Sequence, residues 1–453
     1  MAKETSTVNI RALALSAIIM VLEEHKNSSE VISGVLDKYQ FLPKQERAFF
    51  TRLCEGTIER AIEMDYIINQ FSKVKVKKMK TVIRNVLRMG TYQILYMNQV
   101  PDSAACNESV KLAQKKGFHT LKGFVNGVLR NISRKKESIV YPDKEKDMLS
   151  YWQVKYSMPE WILQKWMEAY SIEVVEAMLC YFAKESKTTI RVNTGKTDME
   201  TYQKNLREAG IKITQGKYYE NALQIENYNS IQSVPGYREG YFAVQDESSM
   251  LAVLCAGMEK GMKVLDVCAA PGGKTMFAAD RLKGTGQVTA CDISEYKVGR
   301  MKENMARMQL SNVTTLVHDA TQVKEEWIEK MDVVIADVPC SGLGVIGKKS
   351  DIKYNCSMEG INKLRNIQRE ILTTVQQYVK PGGILLFSTC TITAEENQEN
   401  ADWFAENFPF SYESLTPYLP EELAGTTAEK GYLQLIPGMH ETDGFFIARF
   451  RKR

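Results

Sequence analysis

From residue 263 onward, apolar runs and amphipathic stretches take turns, and this alternation restricts the fold more tightly than any other feature of the chain. Apolar runs at 263–268, 287–291, 313–317, 332–336 and 384–388 each end near Gly, Asp or Pro. Between them, 274–282, 294–308, 360–379 and 394–407 carry helical spacing. Such alternation predicts a parallel sheet with helices on both faces. Two more strand-like runs, 432–436 and 445–450, are joined by a loop containing Asp443-Gly444. They predict an antiparallel hairpin closing the otherwise parallel sheet.

Residues 1–140 read as all-helical. Apolar residues recur at helical spacing over 11–24, 46–71, 79–97 and 103–116, and Phe124-Val125-Asn126-Gly127-Val128-Leu129-Arg130-Asn131-Ile132 completes the set. Pro43 and Pro101 fall at expected helix boundaries. The polar stretch 134–147 reads as a linker. After it, Tyr156-Ser157-Met158-Pro159-Glu160-Trp161 has the form of a capped helix start, with the helix expected to reach Phe182. Strand-like segments at 188–193, 211–214 and 222–225 surround a helical one at 198–209. Three domains are therefore expected: a helical one over 1–140, a linker helix with a small α/β (RRM-like) unit over 145–236, and an α/β domain over 237–453.

The first strand of the alternating region runs into Asp266-Val267-Cys268-Ala269-Ala270-Pro271-Gly272-Gly273-Lys274-Thr275. Small residues at a strand-to-helix turn let a ligand approach the backbone, and open α/β sheets bind ligands at this end. Gly273-Lys274-Thr275 matches the end of a phosphate loop. That motif requires glycine at position 268, which is Cys268, and Pro271 removes an amide that would cradle phosphate. A nucleotide triphosphatase is thus disfavoured. Carboxylates at successive strand ends suit S-adenosyl-L-methionine better. Asp292 can accept the ribose hydroxyls and Asp319 the exocyclic amine of adenine. Each, taken alone, is equally a cap or turn residue.

Two cysteines close the next two strands. Asp337-Val338-Pro339-Cys340-Ser341-Gly342-Leu343-Gly344 and Ser388-Thr389-Cys390-Thr391-Ile392 resemble the paired Asp-Pro-Pro-Cys-Ser-Gly and Ser-Thr-Cys-Ser segments of RNA cytosine-5 methyltransferases of the Sun type (RsmB/Fmu). Val338 stands where the family commonly has a second proline. The helical front half resembles the NusB-like RNA-binding domain of one branch of that family. The resemblance implies an all-α NusB-like domain, a small α/β unit and a Rossmann-like α/β methyltransferase domain. It also implies a cytosine of small-subunit (16S) ribosomal RNA as substrate and a covalent Cys–C6 adduct.

The chemistry demands such a pair of groups. Cytosine C5 is too weak a nucleophile to attack a methyl sulfonium directly. A thiolate adding to C6 makes an enamine-like ring whose C5 can attack. An acid near N3 assists the addition, and the C5 proton must later leave. Which cysteine attacks is left open by the residues alone; the resemblance assigns attack to Cys390 and product release, through the base step, to Cys340. Asp337 is placed to hydrogen-bond the cytosine edge or the methionine amine of the cofactor. Cofactor contacts are expected from Cys268, Ala269, Ala270, Pro271, Gly272, Gly273, Lys274, Asp292, Asp319 and Asp337. Lys274 is expected to hold the loop or lower a thiol pKa. Cys268 is expected to contribute backbone, and Cys54, Cys106, Cys180, Cys255, Cys291 and Cys356 to act as small hydrophobes.

Charge points to a polyanionic partner. Residues 1–137 hold 23 Lys and Arg against 13 Asp and Glu, whereas the whole chain carries only +4. Phosphate contacts are expected from Lys73, Lys75, Lys77, Lys78, Lys80, Arg130, Arg134, Lys135 and Lys136, with Lys348, Lys349 and Arg369 flanking the catalytic loop. An ordinary solvated face is the alternative. Nine scattered cysteines without Cys-x-x-Cys and four distant histidines suggest neither zinc nor disulfides. The apolar segment 12–22 runs into Glu23-Glu24-His25 and reads as a core helix rather than a signal peptide. A cytoplasmic, membrane-free monomer is expected. A non-catalytic RNA-binding relative is disfavoured by the intact cysteine motifs. A DNA cytosine methyltransferase would place its nucleophile in the Pro-Cys segment.

Overall fold

Asn9 and Asn27 open the first two helices, Ile10–Leu22 and Ser28–Lys38. Their side chains accept from the amides of Ala12 at 2.9 Å and Glu30 at 3.0 Å. Pro43 and Pro101 immediately precede Lys44–Glu59 and Asp102–Lys115, as expected. Ala61–Phe71, Thr81–Tyr96 and Lys122–Arg134 complete a helical core that buries Leu15, Ile18, Phe50, Leu53, Ile67, Leu87 and Leu129. Met148–Lys155, Glu160–Ala169 and Ile172–Phe182 follow. The computed structural model describes residues 8–425 and 427–453. The chain divides into one unit of Met1–Ala183 with Ile346–Asn355, and a second of Lys184–Val345 with Cys356–Arg453.

Two expected helices of the first unit are each broken in two. The stretch 46–71 is interrupted at Arg60, where the freed amides of Ile62 and Glu63 donate to Ser157 Oγ at 2.9 and 3.3 Å. A distant hydroxyl thus satisfies the helix-start donors that continuity would have satisfied. The stretch 160–182 breaks at Tyr170 and Ser171. Residues Ile346–Asn355 belong to this unit through buried polar contacts. Asp351 accepts from the amide and hydroxyl of Ser28 at 3.1 and 2.5 Å. Lys353 Nζ and the Tyr354 hydroxyl both donate to the Glu59 carbonyl, at 2.7 and 3.1 Å, capping the end of Lys44–Glu59.

The second unit contains two sheets. Strands β1 (Thr188–Val192), β2 (Lys212–Gln215), β3 (Ala222–Glu226) and β4 (Phe242–Val244) form an antiparallel sheet in the order β2-β3-β1-β4. Helix Met199–Glu208 packs Tyr202 and Leu206 against Ile190, Leu223 and Ile225. The buried Arg191 ties this sheet to helix Gly273–Arg281, pairing with Asp280 at 2.6 Å and lying 4.4 Å over the Phe277 ring.

The large sheet comprises β5 (Lys263–Asp266), β6 (Gln287–Asp292), β7 (Val313–Val317), β8 (Met331–Asp337), β9 (Val379–Thr389), β10 (Phe410–Tyr412), β11 (Tyr432–Leu435) and β12 (Phe445–Lys452). Its order is β10-β12-β9-β8-β5-β6-β7, with β11 also on β12. Strands β5 to β9 are parallel, and β12 is antiparallel to β9. The expected antiparallel end to a parallel sheet is present. The central strands are buried on both faces, as their near-continuous apolar runs require. Helix Glu247–Cys255, absent from the sequence expectation, is buried nearly all round and so lacks a polar face to mark it. Among the described residues, no helix is long and apolar enough to cross a membrane.

Candidate active site

The chain runs outward from β5 through β6 to β7, then returns to β8 on the other side of β5. The crevice between β5 and β8 is thus the topological switch point, where open α/β sheets bind ligands. Asp266, Asp292 and Asp337 end β5, β6 and β8, and Thr389 ends β9. After β5, the chain turns through Gly272, whose φ of 102° lies in the left-handed region that glycine adopts freely. Ala269 N donates to the Cys291 carbonyl of β6 and Gly272 N to the Ala269 carbonyl, both at 2.7 Å, so the turn of 268–272 is held both to the neighbouring strand and within itself.

Two observations fit this turn to an adenosine-bearing cofactor. Asp266 is fully buried; Thr275 donates to its Oδ2 at 2.7 Å, but Oδ1 has no partner. Burial pushes this carboxyl up to about 7, with Asp337 and Asp292 adding to the effect against the Thr275 hydrogen bond. Asp292 accepts from Ser294 N at 3.0 Å, beside Ile293, which is 68% exposed and offers an apolar surface next to the carboxylate. Asp319 accepts from the amide and hydroxyl of Thr321 through Oδ1 at 2.9 and 2.8 Å, which lowers its pKa. It therefore serves as a turn residue at least through that oxygen. Burial raises the Cys268 thiol well above its ordinary range, which keeps it neutral. Among the described residues, no group of His, Cys, Asp and Glu is placed to hold a metal.

At the ends of β8 and β9, Cys340 Sγ and Cys390 Sγ lie 3.3 Å apart and are not joined in a disulfide. The sequence separates them by fifty residues; adjacent parallel strands bring them together. The Cys340 thiol is held well above the usual thiol range. Its hydrogen bond with Cys390 contributes most, followed by burial and the negative charges nearby, including Glu396 and Asp337. Lys274 Nζ donates to Asp337 Oδ2 at 2.7 Å and lies 5.0 Å over the Phe445 ring, while Ser388 Oγ donates to Asp337 Oδ1 at 2.8 Å. Burial pulls the Lys274 pKa down, but the Asp337 carboxylate reverses this and leaves it raised. Lys274 is therefore a charged partner of Asp337.

Glycine at 344 is dictated by packing. A Cβ there would lie 2.2 Å from the Gly444 carbonyl oxygen, and Gly444 N donates to the Gly344 carbonyl at 2.9 Å. The β11–β12 loop is thereby fastened to the Cys340 turn. Sequence reading missed this, along with Asp266 as an orphaned carboxyl and the buried polar residues Gln368, Glu396, Asn397 and Asn400. The signal available for the last group was Glu395-Glu396-Asn397, acidic and polar at the start of an expected helix. That helix, expected from 394, begins at Gln398. Arg369 donates to Asn400 Oδ1 at 2.8 Å and lies 4.8 Å over Trp403, so it is engaged within the fold. Lys73, Lys75, Lys77, Lys78 and Lys80 are exposed around a short turn at Val76–Lys78, and Arg130, Arg134, Lys135 and Lys136 are also exposed.

Comparison with known proteins places this geometry in context. Residues 253–451 match the model of the 16S rRNA methyltransferase RsmB/F, residues 8–134 the NusB family, and residues 158–232 the ferredoxin-like domain of RsmF/B-like methyltransferases. The chain is 34% identical to "Probable ribosomal RNA small subunit methyltransferase B" of Bacillus subtilis over 100% of both chains. It is 30% identical to ribosomal RNA small subunit methyltransferase B of Klebsiella pneumoniae, covering 98% of this chain and 99% of the relative. A crystal structure of PH0851 superposes with a TM-score of 0.81 at 26% identity, covering 98% of this chain and 99% of that one.

Proposed function

Because the chain belongs to the family of ribosomal RNA small subunit methyltransferases B, we propose that it methylates carbon 5 of a cytosine in small-subunit (16S) ribosomal RNA, with Cys390 as nucleophile and Cys340 assisting release. The family depends on S-adenosyl-L-methionine, which supplies an electrophilic methyl group on its sulfonium. The observation that carries the reading is the 3.3 Å approach of two thiols at the ends of β8 and β9, beside the glycine turn after β5.

The resemblance gives the two sulfurs different work, attack to Cys390 and release to Cys340. The Cys340 thiol, held well above the usual thiol range by its hydrogen bond with Cys390 and by burial, suits a group that keeps its proton until release. Cys390 forms the S–C6 bond, and the electron pair displaced toward C5 would form the new C5–CH3 bond as the methyl group's bond to the sulfonium breaks, its pair remaining on that sulfur as a neutral thioether. Asp337, held by Lys274 and Ser388, orients the cytosine edge and accepts from it. The C5 proton then passes to water. Its electron pair restores the C5=C6 bond as the C6–S bond breaks, and the Cys340 S–H donates to the departing Cys390 thiolate. The turn of Cys268, Ala269, Ala270, Pro271, Gly272, Gly273 and Lys274 would line the methionine end of the cofactor. Asp292 would hold the ribose and Asp319 the adenine amine.

A cytosine that reacts at C5 and C6 must present its ring face, so the target is taken unstacked. Exposed lysines of 73–80 would contact phosphate. We assign the helical RNA-binding role to 1–140, the small α/β unit to 145–236 and the chemistry to 237–453, in a cytoplasmic monomer. Bisulfite sequencing of ribosomal RNA from cells with and without the gene tests the assignment. Loss of a single cytosine mark is expected; an unchanged pattern removes the ribosomal substrate.

A further inference from the structure

Two consecutive buried side chains grip the two cysteine turns from beneath. Glu396 and Asn397 are 0% and 1% exposed. Glu396 Oε1 accepts from Ser341 N at 2.8 Å and from Gln368 Nε2 at 3.1 Å. Its Oε2 accepts from Ser341 Oγ at 2.6 Å and Thr393 Oγ1 at 2.7 Å. Gln368 Nε2 also donates to the Pro339 carbonyl at 2.9 Å, so both neighbours of Cys340 are held by one network. Asn397 does the same for Cys390. Its Oδ1 accepts from Thr389 Oγ1, and its Nδ2 donates to the Thr391 carbonyl at 3.0 Å and to Gln434 Oε1 at 2.7 Å. A hydrogen bond of 2.7 Å between Ser341 Oγ and Thr391 Oγ1 joins the two turns directly.

The arrangement sacrifices local stability. Asn397 occupies the cap position of helix Gln398–Asn407, yet its side chain makes no cap hydrogen bond. Asparagine favours that role, so its diversion to the Cys390 turn forgoes an interaction the helix would otherwise have. Burying Glu396 also carries a desolvation penalty that four hydrogen bonds offset. Carboxylate geometry matters here, because all four partners at Glu396 donate and a glutamine amide would set a donor against donors.

We propose that Glu396 and Asn397 are positioning residues that form a clamp setting the register of the two sulfurs, Glu396 governing Cys340 in the release half of the reaction and Asn397 governing Cys390 in the attack half. This inference rests on the two-cysteine reading above. Glu396 also places negative charge beside Cys340, which favours the protonated thiol that donates to the departing sulfur.

The experiment compares Glu396→Gln, Asn397→Asp and Cys340→Ala in the full-length protein with unmodified ribosomal RNA and S-adenosyl-L-methionine. Single-turnover methyl transfer is measured beside the decay of the covalent protein–RNA complex on denaturing gels. Cofactor affinity serves as the check on folding. Glu396→Gln is expected to methylate at near the native single-turnover rate while the complex decays about tenfold or more slowly, as in Cys340→Ala. The alkaline limit of its release step should move to lower pH, because removing the negative charge lowers the Cys340 pKa. Asn397→Asp is expected to show the opposite split, about tenfold slower adduct formation with native decay. Equal slowing of both steps in either variant, or native behaviour in both, overturns the clamp. If Glu396→Gln loses cofactor binding, Asn397→Asp decides alone. Accumulation in Cys340→Ala without accumulation in Glu396→Gln defeats the clamp and spares the two-cysteine reading. No accumulation in Cys340→Ala defeats both.

Discussion

Buried charge does different work in the two units. In the helical unit, Glu63 is 1% exposed and accepts from Arg60 at 2.9 Å, Tyr96 at 2.7 Å and Tyr141 at 2.6 Å. All its partners lie within the helical unit, and none faces a groove at a strand end. In the sheet unit, Asp266 is equally buried but keeps one oxygen unpaired, and Asp337 sits beside it at the end of the neighbouring strand. Burial of a carboxylate therefore does not mark a site. Its place at the switch point of a parallel sheet, with an unsatisfied atom, does.

Substitutions can sharpen that contrast, beginning with the largest effect. Cys390→Ala should lower tritiated methyl transfer on the order of 10⁴-fold or more while leaving the thermal unfolding midpoint nearly unchanged. Retained transfer would remove the nucleophile assignment. Glu63→Ala should do the reverse: about 3–5 kcal/mol lost in urea unfolding, because Arg60 and two tyrosine hydroxyls lose their common acceptor, with native single-turnover chemistry in the folded fraction. Asp292→Ala should weaken S-adenosyl-L-methionine binding by about ten- to a hundredfold in calorimetry, with stability little altered.

The smallest effect concerns Lys353. Burial lowers its pKa to about 7, with Glu59 opposing this and Arg60 assisting. The unfolded chain holds the proton to higher pH, so burial of this lysine opposes folding most fully below pH 7. That penalty is relieved as pH rises from 7 toward the unfolded value. The helical unit should gain stability over pH 7–9 with a slope of at most about 1.4 kcal/mol per pH unit from this group. Lys353→Met should flatten the slope in that window. An unchanged slope would mean that the amine is protonated in the folded unit.

The large sheet was legible because its evidence is local. Valine- and isoleucine-rich runs such as 333–335 are short and bounded, and β8 forms where they lie. Pro43 and Pro101 marked helix starts for the same reason. The breaks at Arg60 and Tyr170 were illegible, since apolar spacing continues across them and Ser157 supplies its hydroxyl from about a hundred residues away. Helix Ser28–Lys38 was missed as well; only Ser28 and Ile32 are buried in it, so its apolar face is thin.

Sequence by itself placed Asp292, Asp337, Cys340 and Cys390 at the ends of successive strands, and hence at one end of a sheet. Strand period and turn chemistry are written in neighbouring residues, so no folded chain is needed to see them. Only the tertiary structure decided that Lys274 pairs with Asp337, that Gly344 meets Gly444, and that Glu396 reaches back fifty-five residues to the Cys340 turn. Those pairings depend on strand order and on which polar groups are left buried together, and a chain settles both only when it packs.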